Sequence, residues 1–456
     1  MERRGSQPGC LLKAVVIAAL AGCVGVWYVV VPPIGGVQIP PGPVSTPAPE
    51  AENAAVEYRQ AIAALGPFSQ FDPKHPPKDD PLEDPWLWMD GRRPTRDELA
   101  GFDKRRAAFD HLKRGAARQR FRWLPPLGGE RPPEALMQNQ DEHIRVRELV
   151  MRACSAALAR DSAGRPDDEL ALAAYRLGSD WASDPDSSLV PAMMSVACRQ
   201  ITAETLFRLI GSDYATEADC RKLALGVQRS SGLPLRPDLV FEADFHQELA
   251  LYRKQFDDPG LTRGFAERTV LGEIREQRHW LDAHRAALVA YDARAWEQAC
   301  DDYRCIPRGW TDWRWLVGHP LPHQMVGGVM MSFLDANIRH ILPMMAVDRA
   351  DASGLVAVAC LRAYRLRHGS YPLQLGPAFA DLGLATPVMG YRLEAQGPVA
   401  WLPGVDGVDD GGHVPYDRQD AQNAAVRGHD LVYRPGQVPL HLRFIPETQQ
   451  TPSRKP

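Results

Sequence analysis

The chain has 456 residues, of which 45% are apolar, so it is long enough for two or three domains and can form packed cores. Its 53 basic and 57 acidic residues nearly cancel, leaving a net charge of −4. Because these charges nearly balance, the protein has no strong positive electrostatic potential to attract nucleic acid, and no nucleic-acid partner is expected.

The N-terminus carries a candidate membrane anchor. Residues 14–31 are all apolar or small, with Arg3, Arg4 and Lys13 before them and Pro32 directly after them. A helix of this length can just span the hydrocarbon core of a bilayer, and the positive flank favours the cytoplasmic side. We therefore predict that residues 1–31 are a membrane anchor or signal sequence, which holds the protein in the inner membrane as a single-pass protein with its body in the periplasm.

A lipoprotein is the alternative form of attachment. Leu20-Ala21-Gly22-Cys23 resembles the lipobox at which bacterial lipoprotein precursors are cleaved and acylated on cysteine. Lipoproteins usually become polar after that cysteine, whereas residues 24–31 stay apolar here and include Trp27 and Tyr28, which suit a membrane interface. An uncleaved anchor is favoured over acylation at Cys23, and both attach the body to a membrane.

The segment after the anchor is a proline-rich linker, residues 32–50, whose prolines prevent regular structure and make a semi-rigid spacer. A helical body follows over residues 51–350. Its first helix is predicted from about Glu52 to Leu65, and Thr95 with Glu98 forms a capping-box pattern that opens another helix.

Three amphipathic helices are predicted between Asn139 and Ile210, with short breaks between them. Their apolar positions are Val146, Leu149, Ala153 and Ala157 in the first, Leu170, Ala174, Leu177 and Trp181 in the second, and Val190, Met194, Ala197 and Ile201 in the third. Short loops favour antiparallel neighbouring helices, so the body is expected to be a helical-hairpin bundle or an irregular helical stack.

The remaining predicted elements are helices followed by short extended segments. The helices run from about Val240 to Phe256, Leu261 to Asp292, Met325 to Met345 and Ala352 to Arg367, with Pro343 expected to kink or end the third of these. The extended segments lie around 391–393, 399–402 and 431–433. We predict a mainly α protein with a small β-containing C-terminal module, residues 351–446, and a disordered tail, residues 447–456.

Residues that suggest chemistry are few in the helical body. Common catalytic motifs such as G-x-S-x-G, the P-loop and H-E-x-x-H are absent from the sequence. Glu242 and His246 lie one helical turn apart, a spacing that suits a metal or acid/base pair but is more typical of a surface salt bridge. A loop with Trp310, Trp313 and Trp315 could stack on sugars, although packing onto the helical core is favoured.

Six cysteines follow the anchor: Cys154, Cys198, Cys220, Cys300, Cys305 and Cys360. An oxidising compartment would permit disulfides, and Cys300 with Cys305 is the pair closest in sequence. Most of the six lie on predicted helical faces, where a small buried thiol is the more common role.

The C-terminal part carries the most specific pattern. It reads A-Y-R-L-R-H-G-S-Y-P over residues 363–372, then Y-R-L-E-A-Q-G, W-L-P-G-V-D-G-V-D-D-G-G and D-L-V-Y. This resembles the C-terminal part of the major pseudopilin of type II secretion, where a helix ending in G-x-Y-P leads to a small sheet and a glycine-rich loop with aspartates. It is also similar to uncharacterised bacterial membrane-anchored proteins that join a helical body to such an ending. The resemblance covers about residues 355–433.

In pseudopilins the glycine-rich loop binds calcium, so the resemblance implies Ca²⁺ ligands at Asp406, Asp409 or Asp410, and Asp430. Calcium prefers several oxygen ligands, which this loop could supply. A turn stabilised by aspartates that bond their own backbone is the alternative. Filament assembly is not expected, because residues 9–14 lack the glutamate that pilin-like proteins carry near the start of their hydrophobic helix.

The favoured function is a membrane-tethered extracytoplasmic scaffold or interaction protein without catalytic activity, with a protein or peptide partner in the envelope, because helical hairpins present grooves for such partners. The alternative is an envelope hydrolase whose site is assembled from residues distant in sequence.

Overall fold

The computed structural model describes residues 48–66, 94–123, 133–159, 166–184, 189–231, 235–243, 280–289, 322–404, 407–413 and 429–442. Within these, the described residues are mainly helical, with a small antiparallel sheet near the C-terminus. The predicted fold class is confirmed. The helices are α1 (Ala54–Ala64), α2 (Arg96–Lys104), α3 (Arg106–Ala116), α4 (Pro133–Leu158), α5 (Asp168–Ser183), α6 (Leu189–Gly211), α7 (Glu217–Ser231), α8 (Pro322–His368) and α9 (Gly376–Ala380).

Several helix starts are set by side chains that accept backbone N–H bonds. Asn53 accepts from Ala55 at the start of α1, and Asp167 accepts from Leu170 at the start of α5. Thr95 and Glu98 form the predicted capping box at the start of α2. Each cap satisfies donors that have no partner within the helix, which is why these helices begin where they do.

Helix α5 lies at the centre of the body, where it packs against α3, α4, α6 and α7. The predicted stripes of α4 and α5 are buried, including Leu149, Ala153, Leu177 and Trp181. Burying a large apolar side chain contributes roughly 1.5–3 kcal/mol to the free energy of folding, so these stripes hold the bundle together.

The predicted stripe of α6 is right at Ile201, which is 5% exposed, and wrong at Val190, which is 51% exposed. The buried positions of this helix also include the polar residues Ser195 and Arg199. Ser195 Oγ donates to the carbonyl of Gly178 over 2.7 Å, and Arg199 pairs with Asp348. Because these polar groups find partners inside the bundle, apolar periodicity alone does not indicate all of the buried positions.

Helix α8 also differs from the prediction, which had one helix from about Met325 to Met345, kinked or ended by Pro343, and a second from about Ala352 to Arg367. The structure has one helix over residues 322–368 with Pro343 inside it. A proline costs about 3 kcal/mol in a helix interior, but the burial of Ile341, Leu342 and Met345 around it offsets this cost. The helix therefore runs continuously from the body into the C-terminal module.

The four described cysteines, Cys154, Cys198, Cys220 and Cys360, are buried free thiols. Burial raises the pKa of Cys154 to about 12, so this thiol stays protonated near neutral pH. Cys300 and Cys305 lie outside the described residues.

Several other predicted features also lie outside the described residues: the anchor, nearly all of the proline-rich linker, Cys23 and the tail. In the part of the chain that the structure covers, no helix combines the length and the apolar character needed to cross a membrane.

Candidate functional site

The C-terminal sheet contains β1 (Gly390–Glu394), β2 (Gly397–Leu402) and β3 (Leu431–Tyr433), in the order β1-β2-β3 with antiparallel pairing throughout. The strands coincide with the three predicted extended segments. Since Ala400 pairs with Tyr433 and with Tyr391 on its other side, these three side chains share one face of the sheet, which we call the inner face.

The inner face packs on α8 through Tyr433. This side chain is fully buried and lies against Gly354 so closely that a Cβ at residue 354 would overlap its ring. Phe207 of α6 stacks with Tyr433, with ring centroids 6.0 Å apart. The missing side chain at Gly354 therefore allows the sheet to approach the helix.

Asp351 of α8 bonds to two residues of the module. Its Oδ1 accepts a hydrogen bond from Tyr433 Oη over 3.0 Å and lies 2.7 Å from Nε2 of His441. The side chains of Asp351 and His441 are only 4% and 3% exposed. A buried carboxylate needs such donors, so this contact stabilises the docking of the module on the body.

One helical turn earlier, Asp348 forms a buried ion pair with Arg199 of α6. Burial, opposed by Arg199 and aided by nearby Asp351, raises the pKa of Asp348 to about 7. We use the name buried polar cluster for five residues: Arg199, Asp348, Asp351, Tyr433 and His441. The cluster joins α6, α8 and the C-terminal module.

The opposite, outer face of the sheet is covered by the glycine-rich loop, residues 407–413. Trp401 of β2 lies between Gly390 and Gly412, where a Cβ on either glycine would overlap the indole. Trp401 Nε1 donates to Asp409 Oδ1 over 2.8 Å. Arg392 of β1 lies 5.2 Å from the ring centroid of Trp401 and donates to the Gly411 carbonyl. These contacts hold the loop against the sheet.

The structure brings three of the predicted metal ligands to this loop. Asp430 is fully buried, and its Oδ2 accepts the N–H of Gly412 over 2.7 Å. Burial raises the pKa of Asp430, and Asp409 and Asp410 raise it further, while hydrogen bonds from the Gly412 and Asp410 backbone oppose the shift. Asp410 Oδ2 lies 3.6 Å from Nδ1 of His429. Asp406, the fourth predicted ligand, lies outside the described residues.

These side chains fit calcium only in part. Within the described ranges, no group of three His, Cys, Asp or Glu residues is arranged to hold a metal ion. Asp409 Oδ1 accepts the N–H of Gly411 over 2.8 Å, which is the aspartate turn predicted as the alternative. Asp430 orders the loop through backbone bonds in the same way. The loop thus has a structural explanation without a cation, and calcium binding stays a prediction.

The module also exposes large apolar side chains. Val388 is 97% exposed and Leu373 is 84% exposed, more than the other large apolar residues that the structure describes. Their loops are neighbours, because Tyr391 Oη donates to the Pro372 carbonyl over 2.6 Å. Such side chains cost free energy in water, and large apolar side chains this exposed are candidate contacts for a partner.

The other predicted site residues add little. Glu242 forms an ion pair with Arg285 over 3.0 Å, while His246 and the tryptophan loop lie outside the described residues.

Sequence reasoning missed the buried polar cluster. Its members come from helices α6 and α8 and from the C-terminal end, so no local motif contains them. A weak signal was available: Asp348 and Asp351 are acidic residues one turn apart that lie between two apolar stretches of α8, residues 341–347 and 355–361.

No protein-family model, no curated protein and no solved structure matches this chain. The pseudopilin-like ending therefore remains a resemblance of sequence motifs.

Proposed function

We propose that this protein is a membrane-tethered extracytoplasmic scaffold or interaction protein of the bacterial envelope, without catalytic activity. The supporting observation is the placement of Leu373 and Val388, two highly exposed apolar side chains on neighbouring loops of the C-terminal module. The module is fixed to a packed helical body through the buried polar cluster. A rigid body with an exposed apolar edge is suited to present that edge to a protein or peptide.

The buried polar cluster is the strongest feature for the alternative, an envelope hydrolase, because it gathers several ionisable groups. Its side chains bond to one another, and those of Arg199, Asp348, Asp351 and His441 are at most 5% exposed. A substrate cannot reach them without unpacking α6, α8 and β3. The cluster therefore favours a structural role.

We also propose that the glycine-rich loop binds Ca²⁺, with Asp406, Asp409, Asp410 and Asp430 as candidate ligands. Burial is the largest cause of the raised pKa of Asp430, and repulsion from the nearby carboxylates of Asp409 and Asp410 adds to it. A divalent cation would remove this repulsion and link the loop to β3.

The membrane tether can be tested by fractionation. We expect the intact chain in the membrane fraction and a chain that begins after Pro33 in the soluble fraction, because only the first contains residues 14–31. Retention of the shortened chain in the membrane would contradict the predicted anchor. Cys23→Ala separates the two forms of attachment, since it leaves an uncleaved anchor in place but mislocalises a lipoprotein.

The interaction function can be tested by affinity purification of the tagged full chain from cross-linked envelopes. We expect a co-purified protein to be lost when Leu373 and Val388 are both changed to Asp. Leu99 and Ile144, which are 37% and 47% exposed on other helices, provide the matched control when changed to Asp. Equal recovery with both double variants would reject the apolar edge as the interaction surface.

A further inference from the structure

Among the described residues, strand β1 is an outer strand of the C-terminal sheet, because β2 pairs with it on one side only. Its residue Leu393 is 42% exposed, and Val388, just before the strand, is 97% exposed. An outer strand with exposed apolar residues and no protecting proline is a template for pairing with another strand.

The register of the hairpin shows which backbone groups of β1 point outward. Leu393 lies opposite Pro398, which has no N–H, so these two residues cannot exchange a pair of hydrogen bonds. Bonded and non-bonded pairs alternate in an antiparallel ladder, so Arg392 and Glu394 bond to β2 and Leu393 does not. The N–H and C=O of Leu393 thus point to the free edge, where no other described segment forms a backbone hydrogen bond with them.

We propose that this edge binds the same edge of a second copy of the chain, with the two β1 strands antiparallel and Leu393 opposite its counterpart. In this register the outward N–H and C=O of Leu393 form the two central hydrogen bonds of a twofold symmetric pair. The two Leu393 side chains, which lie on the same face, then cover each other.

Arg392 and Glu394 pair within one chain, and Glu394 also pairs with Arg434, but the arrangement of these charges favours this register over registers centred on other residues. With Leu393 at the centre, Arg392 of each copy lies opposite Glu394 of the other, so each cation faces a carboxylate. Centring the pair on Arg392 would place two guanidinium groups opposite each other. Centring it on Tyr391 would place Arg392 opposite Gly390, without a charged partner. Pairing would join two three-stranded sheets into one continuous sheet.

This inference rests on the proposed interaction function, and it identifies a second copy of the chain as a partner of the C-terminal module. Two short strands form a small interface, and attachment to a membrane would favour it by confining the copies to a surface and raising their effective concentration.

The test is the molar mass of the purified full chain, measured by light scattering as its concentration is raised, in detergent if the chain is extracted from membranes. We expect the mass to rise from one copy to two. Leu393→Pro removes the outward N–H without removing a bond to β2, and Leu393→Lys places two ammonium groups at the twofold axis. Both variants should stay at the mass of one copy.

Ile144→Lys is the matched control, because Ile144 is 47% exposed but lies on α4 and outside the sheet, and this variant should pair like the unmodified chain. Leu393→Lys keeps the backbone intact, so the test remains decisive if the proline variant does not fold. A mass of one copy at all concentrations for the unmodified chain, or of two copies for Leu393→Lys, overturns the proposal. Loss of a different envelope protein in Leu393→Lys, with the unmodified chain remaining single, would also overturn it while supporting the interaction function.

Discussion

Asp351 and His441 are ninety residues apart in sequence, yet Nε2 of His441 lies 2.7 Å from Oδ1 of Asp351 in a buried site. The same oxygen accepts the hydroxyl of Tyr433. One carboxylate of α8 therefore satisfies two donors from the C-terminal module, and its removal would leave both donors buried without this acceptor.

We expect Asp351→Ala to lower the free energy of unfolding by about 2–5 kcal/mol, because each buried donor left without a partner costs about 1–3 kcal/mol. Urea denaturation measures the loss, and hydrogen exchange at β3 should increase. Ser353→Ala, at a solvent-exposed hydroxyl on the same helix, serves as control and should change stability little. The effects of Asp351→Ala and His441→Ala should be less than additive in the double variant, and full additivity would show that the two do not interact.

Replacing Gly354 should destabilise the protein even though alanine is the better helix former. In an exposed helix, Gly→Ala stabilises by about 1 kcal/mol. At Gly354 the new methyl group would overlap the Tyr433 ring, and such overpacking costs about 1–3 kcal/mol. Thermal unfolding of Gly354→Ala should therefore show a lower midpoint. A raised midpoint would mean that the sheet does not pack on α8 as described.

Asp180 should make stability depend on pH. Its Oδ2 accepts the Tyr58 hydroxyl over 2.7 Å, and burial raises its pKa to about 6, from 3.8, although Arg176 opposes the shift. An acid with a raised pKa binds its proton more tightly in the folded state. Its contribution to stability is therefore most favourable below about pH 4 and is lost as pH rises through about 6, a difference of roughly 3 kcal/mol.

We expect Asp180→Asn to remove this dependence, because asparagine still accepts the Tyr58 hydroxyl but does not ionise. The variant should be more stable than the unmodified chain at pH 8, and the difference should shrink as pH falls to 4. Urea unfolding at several pH values measures it. A difference that stays constant across this range would show that Asp180 does not titrate as proposed.

Calcium should raise the midpoint of thermal unfolding if it binds only the folded loop, because binding to the folded state shifts the equilibrium by mass action. The shift should vanish in the double variant Asp406→Ala, Asp410→Ala. Asp103→Ala with Asp110→Ala removes two exposed acids from α2 and α3 and should keep the shift. Identical melting curves with calcium and with a chelator would leave the pseudopilin likeness without its metal site.

Local patterns were sufficient for most of the secondary structure. The sequence predicted the capping box at Thr95 and Glu98, the buried stripes of α4 and α5, and the three strands. Each of these features depends on residues that are close together in the sequence, within one or two helical turns or within a single strand. The buried polar positions of α6 were not predictable, because Arg199 is buried only where Asp348, 149 residues away, provides its partner.

The candidate site also has some features that local sequence predicts and others that depend on the tertiary structure. The sequence alone determined that the C-terminal part is a small sheet with an aspartate-bearing, glycine-rich loop, because glycines and alternating side chains are local signals. Only the tertiary structure decided that Asp351 and His441 join this module to α8, and that no other described strand pairs with β1 at Leu393. Such relationships depend on which elements pack together, and packing is set by burial and by paired polar groups over the whole chain.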